Sequence, residues 1–520
     1  MAKKTQKQRK DPYSKYKTNA MTIYMMAMMV IYVLYCKSGY VDYDTNKEVL
    51  LLTITGIFAV VAGCLFLMTL FSRDGFDRIR RDIMPTDYIV FALVISWLVS
   101  YVGAADKEAA LWGDSLRRMG LMFYLSFLFA FLVISHWGVW NRTLTIAFLV
   151  MCAGEWMMQI LQYFGIDLFN WQIDHQYPYL IGTLGAVDQN AYFDGIVLTL
   201  VMCLFILESE KVWKIVYGIA LFVGFLAGIH SNSDSFAAAF GMGILVMFGY
   251  CLYKGNKLLD LAMMYAIVYA AAWAQRICHH FNTYTGTYEN HGVGVLESMI
   301  YSNRWMIVAT VGLALIVAIA LLLRKKDEVV GKRCLIGYLS VIGVSVVSGI
   351  VTFIYANVRR NVLPTDGILT KLVINDQFGN NRGYIWNRII NMMKQAPAFN
   401  KLFGFGFGNL STKVYEYNAD MDNSSWSMKW ADGHNVLVDL LSTSGLIGVL
   451  LFIALCVIVC VCYVRAIKKN EGMILFLALF TAYLGAALIN SNLIVTTPII
   501  FMFLAVGNNY AHHLEKTDLR

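Results

Sequence analysis

The sequence predicts an all-α polytopic integral membrane protein of about 14 transmembrane helices, with a large extracytoplasmic loop between helices 11 and 12. Three observations predict it. The chain has 520 residues, of which 58% are hydrophobic and only 15% charged, against roughly a quarter charged in ordinary soluble domains. The charges gather between long apolar runs: 49–71 and 235–253 carry none, and a run of roughly 17–20 residues suffices to cross a hydrocarbon core. Basic residues, finally, collect in alternate connectors.

Taken in order, residues 1–19 form a Lys-rich tail, read as a cytoplasmic topology signal that also contacts anionic lipid. The first apolar run, Met21–Cys36, has no small-residue cleavage site after it and reads as a retained helix near 20–36. Further runs predict helices near 49–71, 87–104, 119–136, 143–164, 190–207, 212–229, 235–253, 259–274, 305–323 and 334–355. With the N-terminus inside, Arg78, Arg80 and Arg81, then Lys254 and Lys257, then Lys468 and Lys469 all fall inside. The outer connectors 165–189 and 230–234 contain neither Lys nor Arg. This bias supports an even number of crossings, with both termini cytoplasmic.

Residues 20–355 therefore carry helices 1–11, and 356–444 form a polar outer loop too long for a simple connector. Its nine Lys and Arg residues do not oppose that placement, because long loops translocate regardless of charge. Residues 445–520 supply the last three helices, near 445–464, 473–489 and 494–511, and the cytoplasmic C-terminus. Of ten cysteines, seven lie inside apolar runs, where they read as small packing residues rather than a disulfide framework or a zinc site. A net charge of +8 gives no reason to expect nucleic acid, since the basic residues sort by membrane side.

The chemistry-bearing residues concentrate in the outer loop. It holds Arg382, Gly383, Tyr384, Ile385 and Trp386, then Gly404, Gly406 and Gly408, then His434 and Asn435, with Gly445 opening the next apolar run. A histidine at the point of membrane re-entry is placed to take a proton from a polar substrate. Arginines nearby offer a planar donor fork to phosphate. Alternating glycines let backbone approach an anion. Each feature alone is weak, since loop histidines are commonly just solvated and GxGxG is commonly just a turn.

Together they resemble the O-antigen ligase and O-antigen polymerase superfamily. Its pattern is Arg-x3-Leu followed by His-x10-Gly in a large periplasmic loop; here Trp386 stands for the Leu, and His434 and Gly445 have the required spacing. Gly113-x3-Arg117-x2-Gly120 resembles an earlier family segment, and Gly182-Thr183-Leu184-Gly185 leading to Asn190 resembles another. The order agrees over roughly 110–450, whereas the first two and last two helices match in hydropathy alone. Two departures stand out. Asp188 replaces an asparagine, and Ser233-Asp234 replaces a Ser-Arg pair.

The resemblance implies glycosyl transfer from a polyprenyl-diphosphate-linked glycan to a glycan or lipid acceptor, outside the bacterial cytoplasmic membrane and without a metal or other cofactor. His434 would be the general base and Arg382 the cation at the leaving group. Arg117, Arg388, Asn190, Asn435, Gly404 and Gly406 would bind substrate. The alternatives are a lipid-linked glycan flippase, which would place polar sites near the midplane, and a non-catalytic scaffold in envelope assembly. Ligase and polymerase share these residues and stay unseparated.

Other residues have two readings. Glu155, deep in an apolar run, is equally a functional site or the partner of an arginine. Asp194 reads as a polar cap. His279, His280, Glu289 and His291 do not fit tetrahedral metal spacing well. Trp426, Trp430, Tyr415 and Tyr417 could stack on sugars or anchor a loop at the interface.

Overall fold

A computed structural model of the chain describes residues 11–37, 43–166, 168–169, 182–281, 294–323, 328–360, 362, 367, 369–418, 421 and 430–517. The first ten residues of the basic tail, Glu289, His291 and Trp426 lie outside these. Among the described residues the regular structure is helical throughout. That is what a bilayer demands of long apolar runs, whose backbone groups must be bonded within the segment.

Each apolar run falls on a helix. The first half runs α1 (Ser14–Met26, continuing as a π-helical turn Ala27–Tyr32), α2 (Tyr43–Leu70), α3 (Pro85–Gly103), α4 (Leu121–Trp137), α5 (Arg142–Tyr163), α6 (Val187–Leu207) and α7 (Lys211–His230). The second half runs α8 (Asp234–Lys254), α9 (Leu258–Phe281), α10 (Asn303–Leu323), α11 (Glu328–Val358), α12 (Val436–Ile467), α13 (Ile474–Ala487) and α14 (Thr496–Thr517). Ten of these are long and apolar enough to cross a membrane, and the protein is an all-α polytopic membrane protein. Polar residues mark the starts: Asn141 accepts from the Leu144 amide at 3.0 Å, and Pro85 opens α3, where its missing N–H costs nothing.

α6 is the centre of the bundle, with every residue from Gln189 to Cys203 buried. Around it one apolar core joins residues from α1 to α14. Alternate connectors meet at the same end. Arg118, before α4, bonds Thr45 in the first turn of α2 at 3.1 Å, and the Asp106 amide donates to Asn409 of the long loop at 3.1 Å. Ser233, between α7 and α8, bonds Asp188 at 2.8 Å; Ser491, between α13 and α14, bonds Asp432 at 3.0 Å. The opposite end is held by Arg78–Asp11 at 3.4 Å, Lys214–Asp260 at 2.5 Å and the Lys516–Asp82 pair. Basic connectors thus share one end and the long loop lies at the other, the segregation that the charge pattern predicts.

The long loop is itself folded. The segments Phe378–Gln395, Ala398–Phe403 and Leu410–Tyr417 are helical. Ile385, Ile389 and Met392 recur at helical spacing and bury themselves against Phe405, Leu410 and Val414 in a second, smaller core. α12 begins earlier than the apolar run suggests, at Val436 rather than 445. The segment 436–444 is helical too, and Gly445 (φ +68°) then kinks the chain into the apolar stretch. A side chain there would bring its Cβ within 2.4 Å of the Leu402 carbonyl oxygen. The ten-residue spacing from His434 to Gly445 is therefore the length of the cap and first turns of α12, and the glycine lets the Ala398–Phe403 helix dock on their end.

Candidate active site

The start of α12 builds the site. Asn435 caps the helix, its side-chain oxygen accepting from the amides of Leu437 at 2.9 Å and Val438 at 3.2 Å. Its amide nitrogen donates to the Leu488 carbonyl at 2.7 Å. Asn435 is thus fully occupied in fixing the turn that presents His434. That histidine sits in the left-handed region (φ +48°), which costs an L residue roughly 1–2 kcal/mol and persists only where its surroundings hold it.

What holds it is Asp432, a residue that spacing and resemblance leave without a role. Its Oδ1 accepts from the His434 backbone amide at 3.0 Å and lies 3.4 Å from the ring Nδ1. Its Oδ2 is 2.8 Å from Nε of Arg117. Asp432 is 4% exposed, Arg117 and His434 each 29%. Burial on its own would raise the Asp432 carboxyl. Arg117, His434 and the bonds from the His434 amide and Ser491 outweigh it, and hold the group at about 2. Asp432 reciprocally raises the guanidinium of Arg117 above its ordinary value. The result is a chain Arg117–Asp432–His434, with a buried anion between a fixed cation and an imidazole.

Arg117 is delivered by the segment between α3 and α4. Asp114 accepts from the backbone amides of Leu116 at 2.9 Å and Arg117 at 2.8 Å, a local turn that aims the arginine. Gly113 and Gly120 touch: a Cβ on Gly120 would lie 2.2 Å from the Gly113 nitrogen. The Gly-x3-Arg-x2-Gly spacing thus pinches a short loop shut at its base, with Arg117 on its rim.

Arg117, Asp432 and His434 face a cavity of about 270 Å³, whose other walls include Asp188, Gln189, Asn490 and Ser491. Behind Arg117 a smaller polar recess is lined by Asp114, Asp432 and Asp439. Gln189 is 4% exposed and its side-chain oxygen has no hydrogen-bond partner among the described residues. Asn190, predicted as a substrate contact, is instead fully buried, and its amide packs beside Gly182; its neighbours Asp188 and Gln189 line the cavity. Among the described residues no three His, Cys, Asp or Glu side chains converge as a bound metal would need.

The Arg382 region meets the same turn. Gly379, Asn380 and Asn381 all have positive φ, so the regular helix starts at Arg382. Arg382 has a 3.3 Å bond to the Gly379 carbonyl and, among the described residues, no acidic partner. One turn on, Trp386 donates its indole N–H to the Gly433 carbonyl at 2.7 Å, directly before His434. The residue that departs from the Arg-x3-Leu pattern is therefore the one that ties this helix to the histidine. Trp430 flanks the imidazole edge-on at 6.3 Å and is 6.0 Å from Tyr384. Arg388 is tied up, 2.7 Å from Asp376 and stacked over Tyr384 at 4.0 Å.

The glycine run serves packing. The amides of Gly404, Phe405 and Gly406 donate to the carbonyls of Asn400, Ser442 and Thr443 at 2.7, 2.9 and 3.0 Å, which seats the loop on the first turns of α12. Tyr417 packs its ring 5.6 Å from Phe405, and Tyr415 packs on the same small core. Glu155 accepts from the Thr183 amide at 2.8 Å, from its hydroxyl, and from Gln159 at 3.0 Å. It clamps the 182–184 turn that leads into α6, and no arginine is paired with it among the described residues. Asp194 is not a surface cap, because α6 has already entered the core at that point; it is buried and accepts the Trp156 indole N–H at 2.9 Å. His279 packs against Tyr301 at 4.3 Å, away from the cavity walls.

Comparison with known proteins agrees with the pattern. A family model described as O-antigen ligase matches residues 298–453, which takes in Arg382, the glycine run, Asp432, His434 and Gly445. The segments around Arg117 and Gly182 lie before the matched region. No curated protein matches the chain.

Proposed function

Since residues 298–453 match a family model described as O-antigen ligase, we propose that the protein transfers a glycan from a polyprenyl diphosphate carrier to an acceptor hydroxyl. The site lies at the outer face of a bacterial cytoplasmic membrane, in a chain of fourteen crossings with both termini inside. The observation that carries this reading is the pairing of His434 with the buried Asp432 at the wall of a polar cavity.

His434 is the general base. Asp432 takes the Nδ1–H side of the ring, which leaves the Nε2 lone pair for the acceptor hydroxyl, and it stabilises the imidazolium that forms. The acceptor oxygen bonds to the anomeric carbon as the bond from that carbon to the diphosphate oxygen breaks. The proton passes to Nε2, and polyprenyl diphosphate leaves. Arg382 meets the diphosphate: its guanidinium lacks an acidic partner among the described residues and it stands at a helix start, where backbone dipoles also favour an anion. Arg117 acts chiefly by fixing Asp432. The acceptor is a glycan or a lipid-borne core, and the product a surface polysaccharide.

The test uses protein in nanodiscs with a polyprenyl-diphosphate oligosaccharide extract, reading free lipid diphosphate. Release by the wild type that is lost in His434→Ala and in Arg382→Ala is the expected result. A wild type that releases none and instead moves the intact lipid-linked glycan across the bilayer would replace this reading with that of a flippase.

A further inference from the structure

The cavity beside His434 has a composition that an anion does not suit. Its wall at the start of α6 offers the Asp188 carboxylate and the Gln189 side-chain oxygen, and its far wall the Asp432 carboxylate. These oxygens are acceptors; a carboxylate donates nothing. The one guanidinium in the wall, that of Arg117, is already paired with Asp432 and also lies within electrostatic reach of Asp44, Asp114 and Asp188. Gln189 lines the cavity, and its side-chain oxygen is buried with no hydrogen-bond partner among the described residues; an orphaned buried acceptor beside a cavity is a place where a ligand hydrogen belongs. Asp188 is held by Ser233 at 2.8 Å, and Ser235, two residues on, accepts from the side chain of Asn490 at 2.6 Å. The acceptor-rich wall is thereby braced by α8 and by the α13–α14 connector.

We infer that this cavity is a subsite for a sugar that offers hydroxyl or amine hydrogens and carries no acidic group, seated between Gln189 and His434. The inference rests on the glycosyl-transfer reading and deepens it. The transferred diphosphate stays outside, at Arg382, while the sugar whose hydroxyl is activated enters among acceptors. Hydroxyls at neighbouring ring positions donate to Asp188 and to Gln189, and an ammonium in place of one of them gains further from Asp188. A uronic acid at that position meets carboxylates with, among the described residues that line the cavity, no free cation to receive it.

Binding of methyl glucosaminide, methyl glucoside and methyl glucuronide to the protein in nanodiscs, followed by saturation-transfer NMR at neutral pH without donor, tests this. The amine and neutral sugars are expected to bind, and the glucuronide about tenfold more weakly or worse, the size of effect that one or two partly screened like charges produce. Asp188→Asn is expected to narrow the gap between the amine sugar and the glucuronide. Gln189→Leu is expected to weaken all three, with an unchanged melting temperature excluding misfolding. Glucuronide binding equal to that of the glucoside, a gap indifferent to Asp188→Asn, or no binding of any of the three overturns the subsite. Because this readout needs no turnover, failure of the transferase reading shows separately, as absent lipid diphosphate release by a protein that still binds the sugars.

Discussion

Replacing Asp432 by asparagine removes one negative charge and little else. The amide oxygen can still accept from the His434 backbone and from Ser491, now at 3.0 Å each, so the left-handed turn keeps its support. What goes is the anion 3.4 Å from Nδ1 and 2.8 Å from Arg117. With an effective dielectric of about 20, unit charges 3.4 Å apart attract by ~5 kcal/mol. An imidazolium about half formed in the transition state recovers roughly half of that, or ~2–3 kcal/mol. Arg117, no longer neutralised, adds repulsion toward the same ring. Turnover should therefore fall by at least about 30–150-fold, at ~1.4 kcal/mol per decade. The donor KM should change by less than about threefold, because the lost interaction is made mainly in the transition state. The assay is lipid diphosphate release in nanodiscs over a range of donor concentrations. Turnover within about threefold of wild type, or a loss seen in KM alone, would refute the role given to Asp432.

Trp386→Phe keeps the ring and loses the 2.7 Å bond to Gly433; one such bond is worth about 0.5–1.5 kcal/mol, so turnover should drop roughly 3–10-fold with KM held. An unchanged rate would separate Trp386 from the histidine. Gly445→Ala places a Cβ 2.4 Å from the Leu402 carbonyl oxygen at φ +68°. It should destabilise the folded protein by ~2–4 kcal/mol, read as a lower melting temperature in detergent; melting equal to wild type would show that the kink tolerates a side chain. The Asp432 carboxyl is depressed in the folded state to about 2. Its ion pair therefore contributes fully above the ordinary carboxylate value near 4 and is lost as pH falls from there toward 2. The melting penalty of Asp432→Asn should accordingly shrink as pH falls from about 4 toward 2. A penalty that stays constant over that range would refute the depressed Asp432 carboxyl.

The helices were legible because each rests on a continuous apolar run, and hydropathy alone locates such runs. The turns 436–444 ahead of Gly445 escaped because Asp439 and the Ser442–Ser444 run interrupt the apolar stretch, while the Asn435 cap and the docking on residues 402–406 that hold them helical are not registered by hydropathy. His434 and Arg382 could be singled out from spacing and resemblance. Asp432 could not, although an aspartate two residues before a histidine in a Gly-containing turn is the local signal that it can bond the amide two residues on. Asp188 and Gln189 stayed hidden behind Asn190, because which of three adjacent residues faces a cavity depends on how α6 is rotated in the bundle. The Gly404–Gly408 run reads as an anion-binding turn because the sequence does not reveal that Ser442 and Thr443 use its amides first.

Asp432 is pinned by Arg117 and by Ser491, residues more than three hundred positions apart in the chain, and Asn435 is anchored on Leu488. The last two of those partners belong to the connector between α13 and α14, which follows the long loop in the chain. A chain in which only the segments up to α12 have packed therefore holds Arg117 and His434 but not the latch that orders them. Only when α13 and α14 have joined the bundle is the histidine turn locked, so the order of assembly is built into the site: the turn is completed by segments that follow it.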